Sequence, residues 1–291
     1  MITVTGATGQ LGRLVIHALR NRGVRADGIT AAARSPEKAA DLGVRTVLAD
    51  YSRPQTLVDA LAGTDRLLLI SSSEVGSRIE QHRNVVEAAK AAGVGLIAYT
   101  SLLRADTTGI ALATEHLATE EIIRGSGLPY ALLRNSWYIE NYTATLAQTL
   151  QYGAVLGSAG NGRVSAATRA DYAAAAAAVL AEGDHDNTVY ELGGDGSFTL
   201  TELAKEITRQ TGTEVAYRDL PVEEYTRVLV SFGLPEPMAA VLADSDLGIA
   251  RGELYTNSGD LGKLIGRPTA TLTEALDVAI RTLRVPDPPT V

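Results

Sequence analysis

The feature of this sequence that most constrains its fold is a regular alternation of strand-like and helix-like segments that begins at Ile2. Several strand-like runs are apolar throughout, as at residues 67–70, which is typical of strands buried on both faces. The alternation predicts an α/β fold with a Rossmann-type, doubly wound parallel sheet. The predicted strands are residues 2–5, 29–33, 44–49, 66–70, 96–100 and 130–133, and the predicted helices are residues 11–22, 36–42, 54–61, 79–92 and 114–124.

The alternation loosens after Asn135, which indicates a second domain. We predict a Rossmann domain at residues 1–135, joined by a returning segment at 167–195, and a smaller α/β substrate domain formed mainly by residues 136–291. Thr199 and Thr271 are each followed three residues later by Glu, the capping-box arrangement that begins a helix. The Pro-rich residues 285–291 are predicted to be loose.

The first strand runs directly into a glycine-rich loop that opens the first helix. Glycines at such a junction allow a sharp turn and a close approach of the backbone to a pyrophosphate, and the helix N-terminus offers free N–H groups. A glycine-rich turn without a ligand is the alternative, but the position between strand and helix favours a dinucleotide site. The loop has the pattern G-x-x-G-x-x-G and consists of Gly6, Ala7, Thr8, Gly9, Gln10, Leu11 and Gly12.

The end of the second strand distinguishes NAD from NADP. An NAD site usually has an acid there for the ribose 2′-hydroxyl, whereas an Arg suits a 2′-phosphate. This sequence has Arg34 and no acid at that position, so we predict NADPH, with a solvated surface role of Arg34 as the alternative. The residues that end the third and fourth strands are predicted to border the adenine and the nicotinamide ribose: Asp50, Tyr51, Ser71, Ser72 and Ser73.

The acid that most short-chain dehydrogenases use is a Tyr with a Lys four residues later. None of the eleven Tyr residues here has Lys at that position. Reducing a ketone yields a strongly basic alkoxide that needs a well-placed acid, whereas hydride transfer to a quinone leaves a phenolate-like oxygen whose conjugate acid has a pKa of about 10. Water or a weak donor can protonate that oxygen. The absence of this Tyr–Lys pair is therefore compatible with quinone reduction, or with a protein that catalyses no reaction.

The four His residues have no spacing typical of a metal site, so no metal is predicted. His116 and Glu120 lie one turn apart on the predicted helix at 114–124, and we favour a solvated helix face over a catalytic pair. The sequence has neither a G-x-S-x-G elbow nor a Walker loop, so a hydrolase or an NTPase has little support.

The segment after the strand at 130–133 carries the only Trp, with amide and aromatic side chains beside it. A strand end that opens into such residues is a suitable wall for a nicotinamide and a flat substrate. Anchoring of the second domain is an equally good interpretation of Trp137 and Tyr138, and both roles are compatible.

Composition restricts the partners and the location. A net charge of −8 without a basic run argues against nucleic-acid binding. The absence of Cys excludes disulfides and suits a reducing compartment. The N-terminus has no signal-peptide pattern, and the most apolar stretch, at 172–180, is too short to cross a membrane. We expect a cytoplasmic protein without a membrane partner, and a homodimer is compatible with this sequence.

Eight strings, spread almost from end to end, together resemble a known family. They are GATGQLG at 6–12, LLLISSSEVG at 67–76, QHRNVVEAAKAAG at 81–93, IAYTSLL at 97–103, RNSWYIENY at 134–142, SAATRADYAAAAAA at 165–178, LADSD at 242–246 and KLIG at 263–266. On these strings the chain resembles the bacterial type 2 NAD(P)H:quinone oxidoreductases, which belong to the NmrA-like group of atypical short-chain dehydrogenases.

The resemblance implies a flavin-independent enzyme that passes hydride from NADPH to a quinone. It implies that residues 6–12 and Arg34 hold the phosphates and that the quinone lies in a cleft between the domains. We expect Tyr138 and Asn141 to be catalytic. The residues expected beside the nicotinamide half are Ser71, Ser72, Ser73, Ser136, Trp137, Tyr138, Glu140, Asn141 and Arg169.

The same group also contains regulators that bind a dinucleotide without reducing anything, so a redox sensor is the alternative. A reductase of other electron-poor C=C, C=N or C=O acceptors is a further alternative.

Overall fold

Nine strands form two parallel sheets in the part of the chain that the computed structural model describes, residues 1–284. They are β1 (Ile2–Val4), β2 (Ile29–Ala33), β3 (Arg45–Leu48), β4 (Arg66–Leu69), β5 (Leu96–Leu102), β6 (Tyr130–Asn135), β7 (Ala154–Gly157), β8 (Thr188–Leu192) and β9 (Ala216–Asp219). The main sheet has the order β3-β2-β1-β4-β5-β6-β8, and β7 pairs with β9 in the second. The predicted Rossmann-type α/β fold is confirmed.

Helices cover both faces of the main sheet. The helices are α1 (Gln10–Asn21), α2 (Pro54–Leu61), α3 (Arg78–Ala92), α4 (Ala113–Gly125), α5 (Glu140–Thr143), α6 (Leu146–Tyr152), α7 (Arg169–Ala181), α8 (Leu200–Thr211), α9 (Val222–Ser231), α10 (Glu236–Ala250), α11 (Asp260–Ile265) and α12 (Leu272–Arg284). Among residues 1–284, every helix is too short or too polar to span a lipid bilayer. Helices α1, α7 and α11 pack on one face of the sheet, and α2, α3 and α4 on the other.

The order of the main sheet reverses between β1 and β4, which both pair with parallel neighbours. In open α/β sheets such a reversal leaves a crevice beyond the carboxyl ends of the strands, because the following helices leave toward opposite faces. Here α1 follows β1 and α3 follows β4, on the two faces. The fold therefore places the glycine loop (residues 6–12) and the loop between β4 and α3 (residues 70–77, the serine loop) at one crevice.

A separate apolar cluster packs the small sheet against helices from the C-terminal half. It contains Leu203 of α8, Ile249 of α10 and Leu276 of α12, and Trp137 contributes to it. Helix α11 packs elsewhere than α10 and α12, which precede and follow it in the chain. Its Leu261 is buried in the core of the main sheet beside α7. The domain boundaries at residues 135, 167 and 195 stay a prediction.

The elements match the predicted ones closely, with three main differences. Strand β5 continues two residues beyond its predicted end, to Leu102, where it still pairs with β6. Residues 36–42 form a 3₁₀ helix, which begins at Pro36 and ends at Gly43 with φ +63°. Strand β6 continues two residues beyond the predicted end, to Asn135, because its partner β8 pairs with it along that length. Both predicted capping boxes are formed, at Thr199 and at Thr271. The predicted loose segment 285–291 lies outside the described residues.

Candidate active site

The glycine loop forms a tight turn at the start of α1. Gly6 has φ +59°, a conformation that favours glycine. A Cβ on Gly12 would overlap the Gly6 carbonyl oxygen and lie 2.8 Å from Ala7 Cα, so helix and loop touch only because Gly12 has no side chain. Helix α1 has no side-chain cap at Gly9 and no acid in its first turn. Its first amides are therefore available to a phosphate group.

Arg34 lies at the predicted end of the second strand and faces a carboxylate from another loop. Arg34 Nη1 donates to Glu74 Oε1 at 2.5 Å, and Gln81 Nε2 donates to Glu74 Oε2 at 2.7 Å. All three side chains border a cavity of about 240 Å³, which the glycine loop also lines. Glu74 thus supplies a carboxylate beside Arg34, whereas the end of strand β2 itself carries no acid.

Asp50 and Tyr51 border the same cavity. The Tyr51 hydroxyl contacts Thr5 Oγ1 and donates to the Ile70 carbonyl oxygen at 2.9 Å, so it joins the ends of β1 and β4. Burial raises the pKa of Tyr51, which keeps this phenol protonated. Because the Tyr51 hydroxyl is already hydrogen-bonded, only the flat ring is free to contact a ligand in the cavity. A flat ring suits the predicted adenine position.

The serine loop after β4 is held from two sides. The Ser72 amide donates to His82 Nε2 at 2.9 Å, and Arg78 Nε donates to the Ser72 carbonyl oxygen at 2.7 Å. The Ser71 amide donates to Thr100 Oγ1 at 2.8 Å. Burial, and secondarily the Arg78 charge, lowers the pKa of His82 to about 3, so His82 is neutral and can accept this bond. These contacts fix a loop that would otherwise be free to move.

A second cavity of about 480 Å³ adjoins the first, and the two share Gly6, Gly9, Ile70, Ser71, Ser72 and Ser73. Its floor is the carboxyl ends of β4, β5 and β6. Its outer wall is apolar and comes from distant parts of the chain, with Leu112 before α4 and Met238, Val241 and Leu242 on α10. A groove of this size with one apolar wall suits a flat organic ligand.

The segment after β6 forms the polar side of this second cavity. Arg169 lies 4.4 Å from the Tyr138 ring centroid, and its Nη2 donates to Asn141 Oδ1 at 3.1 Å. Since Arg169 occupies the Asn141 oxygen, the Asn141 amide group can donate into the cavity. Glu140 accepts from the Arg169 amide at 2.8 Å and pairs with its guanidinium at 3.6 Å. This network fixes the orientation of Asn141 and Tyr138.

Tyr138 keeps its proton because burial raises its pKa. Asn135 Nδ2 lies 3.4 Å from the Tyr138 hydroxyl, while the buried Asn135 Oδ1 has no hydrogen-bond partner among residues 1–284. Trp137 borders the second cavity and also belongs to the apolar cluster of the C-terminal half, so its position is compatible with both of the roles considered for it.

The interpretation of His116 and Glu120 as a solvated helix face is wrong. Both are buried, because α4 packs this face against β5 and α3. His116 borders the second cavity, and its Nδ1 lies 2.8 Å from the Tyr99 hydroxyl. Glu120 accepts from Ser101 Oγ at 2.6 Å and from Arg134 Nε at 2.9 Å and Nη2 at 2.7 Å. The buried ion pair fastens α4 to β6 one turn beyond His116.

Most of the residues predicted from the sequence border one of the two cavities. Ala7 and Glu140 do not: the Ala7 amide donates to the Ala32 carbonyl oxygen at 3.2 Å, and Glu140 acts on Arg169. Ser136 borders the cavity, but its hydroxyl donates to the Leu254 carbonyl oxygen at 2.9 Å.

The sequence reasoning missed several residues that border the second cavity. Their place at the ends of β5 and β6 could have indicated Thr100, Ser101 and Asn135, whereas no local pattern indicated Arg78, His116 or the residues of α10.

A model of the NmrA-like family matches residues 1–260. The chain belongs to the NmrA-like family. It is 52% identical over 279 residues to Quinone oxidoreductase 2 of Escherichia coli strain K12, covering 95% of this chain and 97% of that protein. The resemblance inferred from the sequence strings is confirmed.

Two solved structures extend the similarity of this NmrA-like chain. The NADPH-dependent quinone oxidoreductase of E. coli, complexed with NADPH, has a TM-score of 0.93 at 51% identity, covering 96% of this chain and all of that one. Triphenylmethane reductase of Citrobacter sp., complexed with NADP(H), has a TM-score of 0.91 at 40% identity, with the same coverage.

Proposed function

We propose that this chain is an NADPH-dependent oxidoreductase that transfers hydride to quinones without a flavin. The observation that carries the proposal is one continuous groove in which an anion-binding turn and Arg34 lie at one end and an apolar, amide-lined cavity at the other. The near full-length identity to Quinone oxidoreductase 2 of E. coli supports quinones as the substrate class.

The residues of the groove fit NADPH. Residues 6–12 would hold the pyrophosphate through the uncapped start of α1, and Arg34 would bind the 2′-phosphate. Asp50 and Tyr51 would border the adenine, and the serine loop with Trp137 and Arg169 would border the nicotinamide half. When bound, NADPH supplies the hydride.

Tyr138 and Asn141 would act on the quinone. The Asn141 amide can donate to one quinone oxygen, since its own oxygen is occupied by Arg169. The Tyr138 phenol is protonated and stands at the same wall, where it can donate a second hydrogen bond. Met238, Val241 and Leu242 would cover the ring and reduce access of water.

Two further expectations belong to this proposal. A cytoplasmic location agrees with the absence of Cys and with the use of NADPH. Triphenylmethane dyes are a second class of acceptor to test, because the chain is 40% identical to a triphenylmethane reductase.

The test is oxidation of NADPH, and separately of NADH, by purified protein with a simple quinone and no added flavin. We expect quinone-dependent turnover that favours NADPH. Tyr138→Phe and Asn141→Ala should lower quinone turnover more than NADPH affinity. Tight NADPH binding without turnover on any quinone or dye would contradict the proposal and favour a redox sensor.

A further inference from the structure

Arg78 stands beside the substrate cavity with donors that the protein leaves unused. Its side chain is 6% exposed, and Nε donates to the Ser72 carbonyl oxygen. Nη1 lies 3.5 Å from Glu115 Oε2, and both of these buried atoms lack a hydrogen-bond partner in the described residues. Nη1 is enclosed beside Glu115, whereas Nη2 makes no hydrogen bond within the described residues and is not among the fully buried atoms. Because Arg78 borders the second cavity, Nη2 is the donor that a ligand in that cavity could complete.

Glu115 does not complete this site. Its Oε1 accepts from the Gly76 amide at 2.9 Å, which holds the carboxylate at the turn before α3. The second carboxylate oxygen, Oε2, lies 3.5 Å from Arg78 Nη1. At this distance it partly neutralises the guanidinium charge but does not form a good hydrogen bond. Arg78 is therefore fixed in place by Ser72 and Glu115, while its guanidinium still has donating capacity.

His116 comes to the same cavity from the neighbouring helix α4. Burial, followed by the Arg78 charge and then His82, holds the pKa of His116 well below its usual range, so the ring is neutral at physiological pH. The Tyr99 hydroxyl is 2.8 Å from Nδ1. If Tyr99 donates to Nδ1, the remaining ring proton is on Nε2, which then becomes a hydrogen-bond donor.

We propose that Arg78 and His116 form a binding site for the quinone oxygen that becomes anionic during reduction. The two residues reach the cavity from α3 and α4, on one face of the sheet, whereas Arg169 begins α7 on the other. A para-quinone has two oxygens on opposite sides of its ring. Tyr138 and Asn141 would hold one oxygen, and Arg78 and His116 the other.

The chemistry of quinone reduction would make use of such a site. A C4–H bond of the bound dihydronicotinamide would break, and its hydride would form an O–H bond at one quinone oxygen. The carbonyl π electrons would move through the ring, and the opposite oxygen would become a phenolate. The quinone gains two electrons, NADPH loses them, and a proton from water converts the phenolate to the hydroquinone. A guanidinium and a neutral imidazole N–H placed before the reaction stabilise this oxygen as its charge develops. This inference rests on the proposed function.

One test measures binding of a phenolate without turnover, and its probe is 4-nitrophenol, whose ionised form is coloured. Titration of the ligand bound to the protein should show a lowered pKa of the nitrophenol in the wild type. His116→Gln should reduce that shift, and Arg78→Met, with or without Glu115→Gln, should abolish it. Arg83→Met is the matched control, since Arg83 is an exposed residue of α3 outside the cavity.

A second test uses a series of quinones whose hydroquinones differ in acidity. Loss of one preorganised donor to a developing oxyanion lowers kcat by about 10²–10³ fold. We expect Arg78→Met to show a loss near this range that is largest for the least acidic hydroquinones, measured at saturating NADPH because Arg78 also holds the serine loop. Arg78→Lys should recover part of the rate.

The outcomes separate the two proposals. An unshifted nitrophenol pKa in the wild type, or equal loss of rate on every quinone in the variants, would overturn the role of Arg78 and His116. Neither result affects the quinone reductase assignment. No quinone turnover by the wild type would overturn that assignment, while the nitrophenol titration would still judge the anion site.

Discussion

Replacing Glu74 by Gln should tighten NADPH binding and leave NADH binding nearly unchanged. In the structure Glu74 occupies the guanidinium of Arg34, which is the group proposed for the 2′-phosphate. NADPH must therefore break this ion pair and also meet the carboxylate charge. NADH has a hydroxyl at that position. This hydroxyl can donate a hydrogen bond to Glu74 while Glu74 remains paired with Arg34.

The expected magnitude follows from the exposure of the pair. Arg34 and Glu74 are 67% and 44% exposed, so the ion pair is worth only about 0.2–1 kcal/mol. Repulsion between a carboxylate and a phosphate about 5 Å apart in water adds roughly 1 kcal/mol. Together these give roughly 1.2–2 kcal/mol, or about a 7- to 30-fold lower Kd for NADPH.

Fluorescence or calorimetric titration of Glu74→Gln with each dinucleotide measures this effect. Glu37→Gln is the matched control, since Glu37 is an exposed acid near Arg34 that does not line the cavity. Arg34→Gln should weaken NADPH far more than NADH, and adding Glu74→Gln to it should bring almost no further change for NADPH. Equal tightening of both dinucleotides by Glu74→Gln, or none, would refute the reasoning.

Three further changes test the loop, the ion pair and the C-terminal half. Gly12→Ala should weaken NADPH binding by at least about tenfold and lower the Tm, because its Cβ would enter the glycine loop; unaltered affinity would show that the loop adjusts. Glu120→Ala removes the bidentate partner of the buried Arg134, which keeps Asp106 and Glu191, and should lower the free energy of unfolding by about 1.5–3 kcal/mol in urea, whereas the exposed Glu121→Ala should change it little. Burial raises the pKa of Asp246 from 3.8 to about 7. Between these two pH values the folded protein keeps a proton on Asp246 that the unfolded chain releases. The free energy of unfolding of the wild type therefore falls as the pH rises from about 4 to about 7. Asp246→Asn should remove this loss and be more stable than wild type by up to about 4 kcal/mol at about pH 8, and an equal difference at about pH 5 would contradict it.

The parts of the site that could be predicted from the sequence are those fixed by strand position. Gly12 and Arg34 are recognisable because each follows a strand at a defined point of the fold, and that point sets their chemistry. Glu74 could not be recognised as the partner of Arg34, since 40 residues separate them and only the turn of the serine loop brings them together.

His116 shows where a local pattern misleads. His and Glu one turn apart look like a solvated pair, because spacing alone does not say which helix face is buried. Helix α4 buries this face against β5, and Arg134 on β6 compensates Glu120 from outside the helix. Met238 and Val241 could not be predicted to line the cavity from any local pattern. The position of α10 beside the cavity depends on how the whole C-terminal half folds.

Direct hydride transfer is the central claim of this account, and a single-turnover experiment with deuterated NADPH tests it most directly. The purified protein is loaded with NADPH that carries deuterium at C4, mixed anaerobically with one equivalent of quinone, and compared with undeuterated NADPH. The account predicts stoichiometric loss of the dihydronicotinamide absorbance, one hydroquinone per NADPH, and a slower reaction with the deuterium in one of the two C4 positions. Turnover that appears only after a flavin is added, or no oxidation of bound NADPH by any quinone, would contradict it.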